Sequence, residues 1–160
     1  MGLSGFREKR AWIFQGNPKS YRLYDSLLDE NLKGARWLVK RYKDEILLGD
    51  LALIWKARDR SGIYAVGTVV SNPQIMPDSE ESLKYWVEKS EGEKPSLRID
   101  IHYLHRFNLL NSLKRAELKM IPQLKNMEVL CQPEGTNFKV TDVEWSHISN
   151  LLDKRYGLSL

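Results

Sequence analysis

Two tryptophans in the first half of the chain are followed by basic residues. Arg41 comes shortly after Trp37, and Lys56 and Arg58 follow Trp55. An aromatic ring holds a base by stacking, which is worth about 1–3 kcal/mol per base, and nearby cations attract the phosphates. If both rings lie at a sheet edge, the pattern indicates a site for a nucleobase on a phosphate chain. The alternative is that they belong to a large aromatic core, since the chain has five tryptophans.

The sequence contains no residue pattern typical of a catalytic or metal site. Cys131 is the single cysteine, so it forms no internal disulfide, and its apolar surroundings are typical of a small buried side chain. His102 and His105 are three residues apart on a predicted strand, which directs them to opposite faces. A dyad of Cys131 with His102 would have to be assembled by the fold. We therefore predict no catalytic residue, no metal and no cofactor.

Positive charge is concentrated in the first part of the chain. Residues 1–60 hold 13 Lys/Arg and 8 Asp/Glu, whereas residues 61–160 hold 12 and 13. A basic half favours a polyanionic partner, although chance asymmetry on a soluble surface explains it equally well. No apolar run approaches the roughly 18 residues of a membrane span, and the first residues lack a signal peptide. We expect a cytoplasmic protein, or a nucleoid or nuclear one, without a membrane partner.

The elements that must position these residues alternate irregularly between strands and helices. The predicted strands are Ala11–Gln15, Arg36–Lys40, Leu51–Ala57, Ile63–Val70, Leu97–Leu110 and Val129–Cys131. The predicted helices run from Asn17-Pro18 to near Gly34, from Ser112 to Leu118, from Pro122 to Met127 and onward from the capping box Thr141–Glu144. Residues 78–93, with six acidic side chains, are predicted to be a solvated excursion containing a short helix over Ser82–Val87. This order predicts an α+β domain with a curved, mostly antiparallel sheet and short flanking helices.

Several ordered strings of residues resemble those of one known family. They are Trp12-Ile13-Phe14-Gln15, Asn17-Pro18-Lys19, Trp37-x-Val39-x-Arg41-Tyr42, Ile54-Trp55-Lys56-Ala57, Gly135-Thr136-Asn137-Phe138 and Thr141-x-x-Glu144-Trp145. On these strings the chain is similar to EVE domains, members of the PUA-like superfamily that also includes the YTH readers of methylated RNA. The first residues are expected to form a charged leader over residues 1–10, and the resemblance implies a single EVE domain over 11–155. It also implies the PUA-like fold, a curved sheet or open barrel flanked by helices.

The resemblance implies a pocket that encloses a modified or flipped nucleobase. Trp37 matches the first cage tryptophan of the YTH relatives, Asn17 the polar residue that contacts the base edge, and Trp55 the aromatic position on the next strand. No residue is matched to a third wall. The other expected ligand-binding residues flank these positions and are Pro18, Lys19, Arg41, Lys56, Arg58, Gly135, Thr136 and Asn137.

The function predicted from the sequence is non-enzymatic binding of a modified nucleobase in DNA or RNA. Two other functions stay open, a small enzyme acting on a modified nucleotide or base, and a module that binds a peptide or metabolite. As a cage wall, Trp37 is expected to be partly exposed, so its replacement by Ala would leave the fold intact. Trp145, at helical spacing in the last predicted helix, is expected in the core.

Overall fold

The structure is a computed structural model that describes residues 8–160, so the predicted leader, residues 1–10, lies mostly outside the described residues. The strands are β1 Ala11–Gly16, β2 Gly34–Leu38, β3 Leu51–Lys56, β4 Gly62–Val69, β5 Gln74–Met76, β6 Ser96–Arg106, β7 Leu113–Lys114 and β8 Asn137–Lys139. The helices are α1 Leu23–Leu28, α2 Lys89–Glu93, α3 Arg115–Leu118, α4 Glu128–Cys131 and α5 Asp142–Tyr156, with a 3-10 helix at Glu80–Tyr85.

All eight strands of the described chain form one curled sheet. Its order is β2-β6-β4-β3-β1-β8, with β5 added beside β6 and β7 beside β4. β1 and β3 run parallel, and every other pairing is antiparallel. This mixed, mostly antiparallel half-barrel with short helices confirms the predicted α+β class and the curved sheet with flanking helices. Within residues 8–160, no helix has the length and apolar character needed to cross a membrane.

The sheet separates two hydrophobic clusters. Along β1, Trp12 and Phe14 belong to one cluster while Ile13 belongs to the other, because successive side chains of a strand point to opposite faces. β3 alternates in the same way, so it is buried along its whole length. The first cluster, which contains Ile13, also holds Trp55; the second cluster contains Trp37. β3 and β4 are apolar on both faces because they lie in the middle of the sheet.

The chain after β1 does not begin a helix at Asn17-Pro18, as the sequence predicted. The Asn17 side-chain oxygen accepts a hydrogen bond from Lys19 N at 3.0 Å, which makes a local turn instead of a helix cap. The backbone then pairs as an isolated bridge between Tyr21 and Trp86, and α1 begins only at Leu23. A contact with a distant segment therefore outweighs a local helix signal.

Two predictions in the second half of the chain are also wrong. The predicted strand Val129–Cys131 is part of α4, because a three-residue apolar run does not distinguish a strand from a short helix. Cys131 is consequently exposed. The helix predicted from Pro122 to Met127 is a series of turns. The capping box is confirmed, because Thr141 Oγ1 accepts from Glu144 N at 3.2 Å and Glu144 Oε1 accepts from Thr141 N at 2.9 Å.

The acidic segment is not a solvated excursion. Asp78, Ser82 and Gly92 are buried, and the segment folds back onto the chain near β1 and β6. Arg22 N donates to Tyr85 O at 2.7 Å, and Val87 N donates to Ser20 O at 2.9 Å. The glutamates of the segment are exposed, while its backbone is hydrogen-bonded to the residues just before α1. The segment thereby places Tyr85 and Trp86 against the second hydrophobic cluster.

Candidate functional site

One large cleft opens beside the edge strand β2. Its volume is about 830 Å³, within the range of roughly 300–1,000 Å³ that is usual for small-molecule sites. The lining comes from the end of β1 and the residues after it, most of β2, the end of β3 and the turn that follows, the acidic segment, β6, the start of α3 and the turn before β8. Their principal lining residues are Gln15, Asn17, Tyr21, Arg36, Trp37, Trp55, Arg58, Asp78, Trp86, Arg98, Arg115, Gly135 and Thr136.

Three aromatic rings form a contiguous wall of the cleft. Tyr21 packs edge-on against Trp37, with ring centroids 6.5 Å apart, and against Trp86, with centroids 5.3 Å apart. Trp37 comes from β2 and Trp86 from the acidic segment, so Tyr21 bridges two distant parts of the sequence. The wall is apolar and rich in π-electrons, the chemistry on which a flat ring stacks; Tyr21 and Trp37 are its buried members and Trp86 is half-buried.

Trp86 is held in a fixed orientation. Its indole Nε1 donates to Asp78 Oδ2 at 2.7 Å. Gly92 lies directly against the ring, because a Cβ on Gly92 would be 2.5 Å from Trp86 Cδ1. Asp78 is itself anchored, since its Oδ1 accepts from Ser79 N at 2.7 Å. Both oxygens of this buried carboxylate are thus occupied by protein donors.

Trp37 is more deeply buried than the sequence predicted. Only 8% of the residue is exposed, and its Nε1 donates to the hydroxyl of Tyr103 at 3.1 Å. Burial raises the pKa of Tyr103 far above its usual value, so that hydroxyl keeps its proton at ordinary pH. The expectation of a partly exposed, easily replaced Trp37 is therefore wrong. The ring lines the cleft and packs in the second cluster at the same time.

Trp55 lines the cleft from a different position. It lies on β3, between β4 and β1, and not at a sheet edge, and it is buried in the first cluster. Trp55 and Trp37 thus pack in different clusters, and the pair expected from the sequence is replaced by Trp37 with Trp86 and Tyr21. Trp145 is only partly buried against the first cluster, in contrast to its expected place in the core.

Asn17 and Arg58 form a polar rim at the mouth of the cleft. Arg58 Nε donates to Asn17 Oδ1 at 3.1 Å, and both residues are exposed. Arg58 has a φ of 70°, in the left-handed region, in the turn that follows β3. The turn before β8 also lines the cleft, and there Gln15 Nε2 donates to Gly135 O at 2.6 Å and Gln15 N donates to Thr136 O at 2.9 Å.

Five predicted site residues do not line the cleft. Lys56 is 9% exposed, its amine donates to the backbone oxygen of Asp59, and burial lowers its pKa. Asn137 is fully buried, and Arg41 reaches toward Glu128, with Nη2 to Oε1 at 3.4 Å. Pro18 and Lys19 belong to the turn after β1, outside the lining. The rim of cations predicted from their spacing in sequence is reduced to Arg58.

Sequence reasoning missed the residues that come from the acidic segment and from β6. The main ones are Trp86, Asp78 and Arg98, and Arg115 also lines the cleft. A usable signal was present, because Tyr85 and Trp86 interrupt a run of charged residues. Large aromatic side chains in such a segment require something to pack against. Arg98 had no comparable signal, since an arginine on a strand is usually an exposed residue.

Comparison with known proteins identifies the class of this domain. The curled half-barrel with short helices is a fold that this chain shares with human THYN1. The family model of the EVE domain matches residues 10–151, and the chain belongs to this family. No curated protein matches the sequence significantly.

Solved structures share the fold at low sequence identity. A hypothetical protein from Leishmania major has a TM-score of 0.65 and 19% identity, covering 92% of this chain and 96% of its own. A protein from Pseudomonas syringae has a TM-score of 0.60 and 22% identity, covering 88% and 98%. Human THYN1, solved in complex with DNA containing 5-methylcytosine, has a TM-score of 0.62 and 17% identity, covering 89% and 97%.

Proposed function

We propose that this chain binds nucleic acid and holds one modified base in the cleft, without catalysing a reaction. The observation that carries the proposal is the wall of Trp37, Tyr21 and Trp86 beside the edge strand. An enclosed base must leave its stack, at a cost of a few kcal/mol, and stacking on aromatic rings offsets that cost. The methyl-bearing DNA bound by the EVE-like neighbour human THYN1 supports the same ligand class.

The polar groups of the cleft suit binding better than reaction chemistry. The Asp78 carboxylate accepts hydrogen bonds from the protein at both oxygens, so it is a poor general base. Arg58 and Arg115 provide positive charge at the lining, where phosphates flanking the base would pass. A methyl group on the base adds apolar area worth about 0.8 kcal/mol when fully buried.

The test compares short single-stranded DNA and RNA oligonucleotides that carry 5-methylcytosine, cytosine or an abasic site at the central position. We expect fluorescence anisotropy to give the tightest binding for the modified base and the weakest for the abasic site. Trp86→Ala should remove most of this preference, since stacking is worth about 1–3 kcal/mol per base, or roughly 5- to 150-fold in affinity.

The matched control for Trp86→Ala is Val87→Ala. Val87 is its exposed chain neighbour and lies outside the lining, so that variant should bind like the wild type. Equal binding of the abasic and base-containing strands by the wild type would contradict enclosure of a base. Absence of binding to every strand at low salt would contradict the proposed function altogether.

A further inference from the structure

Arg98 on β6 is a charged residue buried in the lining of the cleft. Only 1% of it is exposed. Its Nε donates to Met76 O at 3.0 Å, and its Nη2 donates to Glu91 O at 3.2 Å and to Lys94 O at 3.4 Å. The third nitrogen, Nη1, is buried and has no hydrogen-bond partner among residues 8–160.

An arginine carries five N–H donors, and leaving donors of a buried cation unpaired is costly. Within residues 8–160, Arg98 makes no ion pair. The nearby carboxylate of Asp78 already accepts hydrogen bonds from Trp86 and from Ser79. The described protein therefore provides no acceptor for Nη1, and in the lining of a binding cleft that acceptor can come from the ligand.

The guanidinium is fixed beside the aromatic wall. Its Cζ lies 5.6 Å from the centre of the Trp86 ring. The three carbonyls that hold the other nitrogens all belong to the chain around the acidic segment, which also carries Trp86. The guanidinium lies over the Trp86 ring, and both residues line the cleft, so a base held against Trp86 would lie close to Arg98.

We propose that Arg98 is a specificity-determining residue, whose Nη1 donates to a carbonyl oxygen on the base held in the cleft. The inference rests on the proposed function and adds that the preferred base carries an oxygen acceptor at the edge facing Arg98. A phosphate oxygen of the same strand is the alternative acceptor for the Arg98 Nη1 hydrogen bond. The burial of Arg98 favours the base, because a phosphate keeps more of its hydration at the open rim near Arg58.

The test uses pairs of single-stranded oligonucleotides that differ by one base oxygen at the central position. The pairs are guanine with 2-aminopurine, thymine with 5-methyl-2-pyrimidinone, and 5-formylcytosine with 5-methylcytosine; an abasic strand completes the set. In at least one pair, wild-type protein should bind the oxygen-bearing member roughly ten- to hundredfold more tightly, as expected for a hydrogen bond from a charged donor. Arg98→Met should remove that preference and leave binding of the abasic strand unchanged.

Arg106 provides a matched control on the same strand. Its guanidinium also donates to backbone carbonyls, of Leu27, Asp29 and Leu32, and lies over the Tyr103 ring at 5.3 Å, but it does not line the cleft. Arg106→Met should lower stability without changing the preference within any pair. If Arg98→Met does not fold, the guanidinium resonances of Arg98 in wild-type protein labelled with 15N-arginine should shift with the oxygen-bearing strand and not with its partner.

Three results would overturn the inference. The first is equal wild-type binding within every pair, with no shift of the Arg98 resonances. The second is an Arg98→Met variant that loses affinity equally for all strands, the abasic one included, which would assign Nη1 to a phosphate. In both cases the wild type still binds nucleic acid, so the proposed function survives. The third, no wild-type binding to any strand, overturns the inference and the proposed function together.

Discussion

Asn137 on β8 is joined to Arg41, just beyond β2, by both ends of its carboxamide. Its Nδ2 donates to Arg41 O at 2.7 Å, while its Oδ1 accepts from Arg41 N at 3.1 Å and from Lys40 N at 2.9 Å. β2 and β8 are the two ends of the strand order, so one buried side chain connects the edges of the half-barrel. Asn137 therefore fixes the distance between the edge strands β2 and β8, although it does not itself line the cleft.

Asn137→Ala should weaken both the fold and the proposed binding. It leaves two backbone N–H groups and one carbonyl near β2 unsatisfied, and each such buried group costs about 1–3 kcal/mol. Urea denaturation should show a loss of at least this size, accompanied by weaker binding of the 5-methylcytosine strand. Asn150→Ala, an exposed change on α5, is the control and should be neutral. Equal stability of the two variants would contradict the bridging role.

Trp37→Ala should be strongly destabilising. Trp37 packs in the second cluster and its Nε1 is bonded to the buried Tyr103 hydroxyl, so the change creates a cavity and an unsatisfied hydroxyl. Large-to-small changes of this kind cost about 3–5 kcal/mol. Trp145→Ala should cost less, because Trp145 is only partly buried. Chemical denaturation of both variants measures the two losses in free energy of unfolding. A smaller loss for Trp37→Ala than for Trp145→Ala would contradict the argument from burial.

Gly92→Ala should impair binding through Trp86. The new methyl would lie 2.5 Å from Trp86 Cδ1 and 2.7 Å from Nε1, so the indole must move away from its bond to Asp78. The near-ultraviolet circular dichroism of the tryptophans should change, and affinity for a base-containing strand should fall while binding of an abasic strand is kept. The comparison variant is Gly49→Ser, since a Cβ at Gly49 meets nothing within 4 Å and its positive φ makes only the local backbone less favourable. An unchanged dichroism spectrum for Gly92→Ala would contradict the prediction.

The salt dependence of binding should involve Arg58 and not Lys56. Each phosphate contact on a single strand contributes about −0.7 to the slope of log affinity against log salt. Arg58→Ala should therefore make the slope shallower by about this amount, whereas Lys56→Met should leave it unchanged because the Lys56 amine already donates to Asp59 O. Titrations at three salt concentrations measure both slopes. A shallower slope for Lys56→Met would show that Lys56 contacts a phosphate, as predicted from the sequence, and would contradict its assignment as a buried residue outside the cleft.

The hydrogen bond between Tyr85 and Asp29 should make stability depend on pH at both extremes. Tyr85 Oη donates to Asp29 Oδ2 at 2.5 Å, which raises the pKa of Tyr85 to about 12 and lowers the pKa of Asp29. A raised tyrosine pKa gives stability that is complete below about pH 10 and lost as pH rises toward 12; a lowered aspartate pKa gives stability that is lost as pH falls below about 4.

The measurement is the difference in free energy of unfolding between wild type and Tyr85→Phe across the pH range. This difference should be constant between about pH 6 and 9 and decrease toward both ends. A difference that does not vary with pH would mean that the two groups are not coupled in solution.

The sequence by itself determined the family, the fold class and the central strands. β1, β3 and β4 could be predicted because each is a short, continuous apolar run and glycines mark the adjacent turns, which are local properties of the chain. The capping box of α5 is likewise complete within four residues. Trp37 and Asn17 belong to the strings that resemble the family, and Arg58 was predicted as a basic residue that follows Trp55. The structure places all three in the lining of one cleft.

Only the tertiary structure decided which other residues meet there. Trp86, Asp78 and Arg98 reach the cleft because the acidic segment folds back between Tyr21 and β6, through contacts between residues more than 60 positions apart. Lys56 and Asn137, both predicted from the sequence to bind the ligand, are turned away from the cleft. Neighbouring side chains on a strand face opposite sides, and buried polar groups must find partners. Local pattern fixes the elements, whereas the cleft is made by long-range packing and hydrogen bonds, whose partners no local pattern specifies.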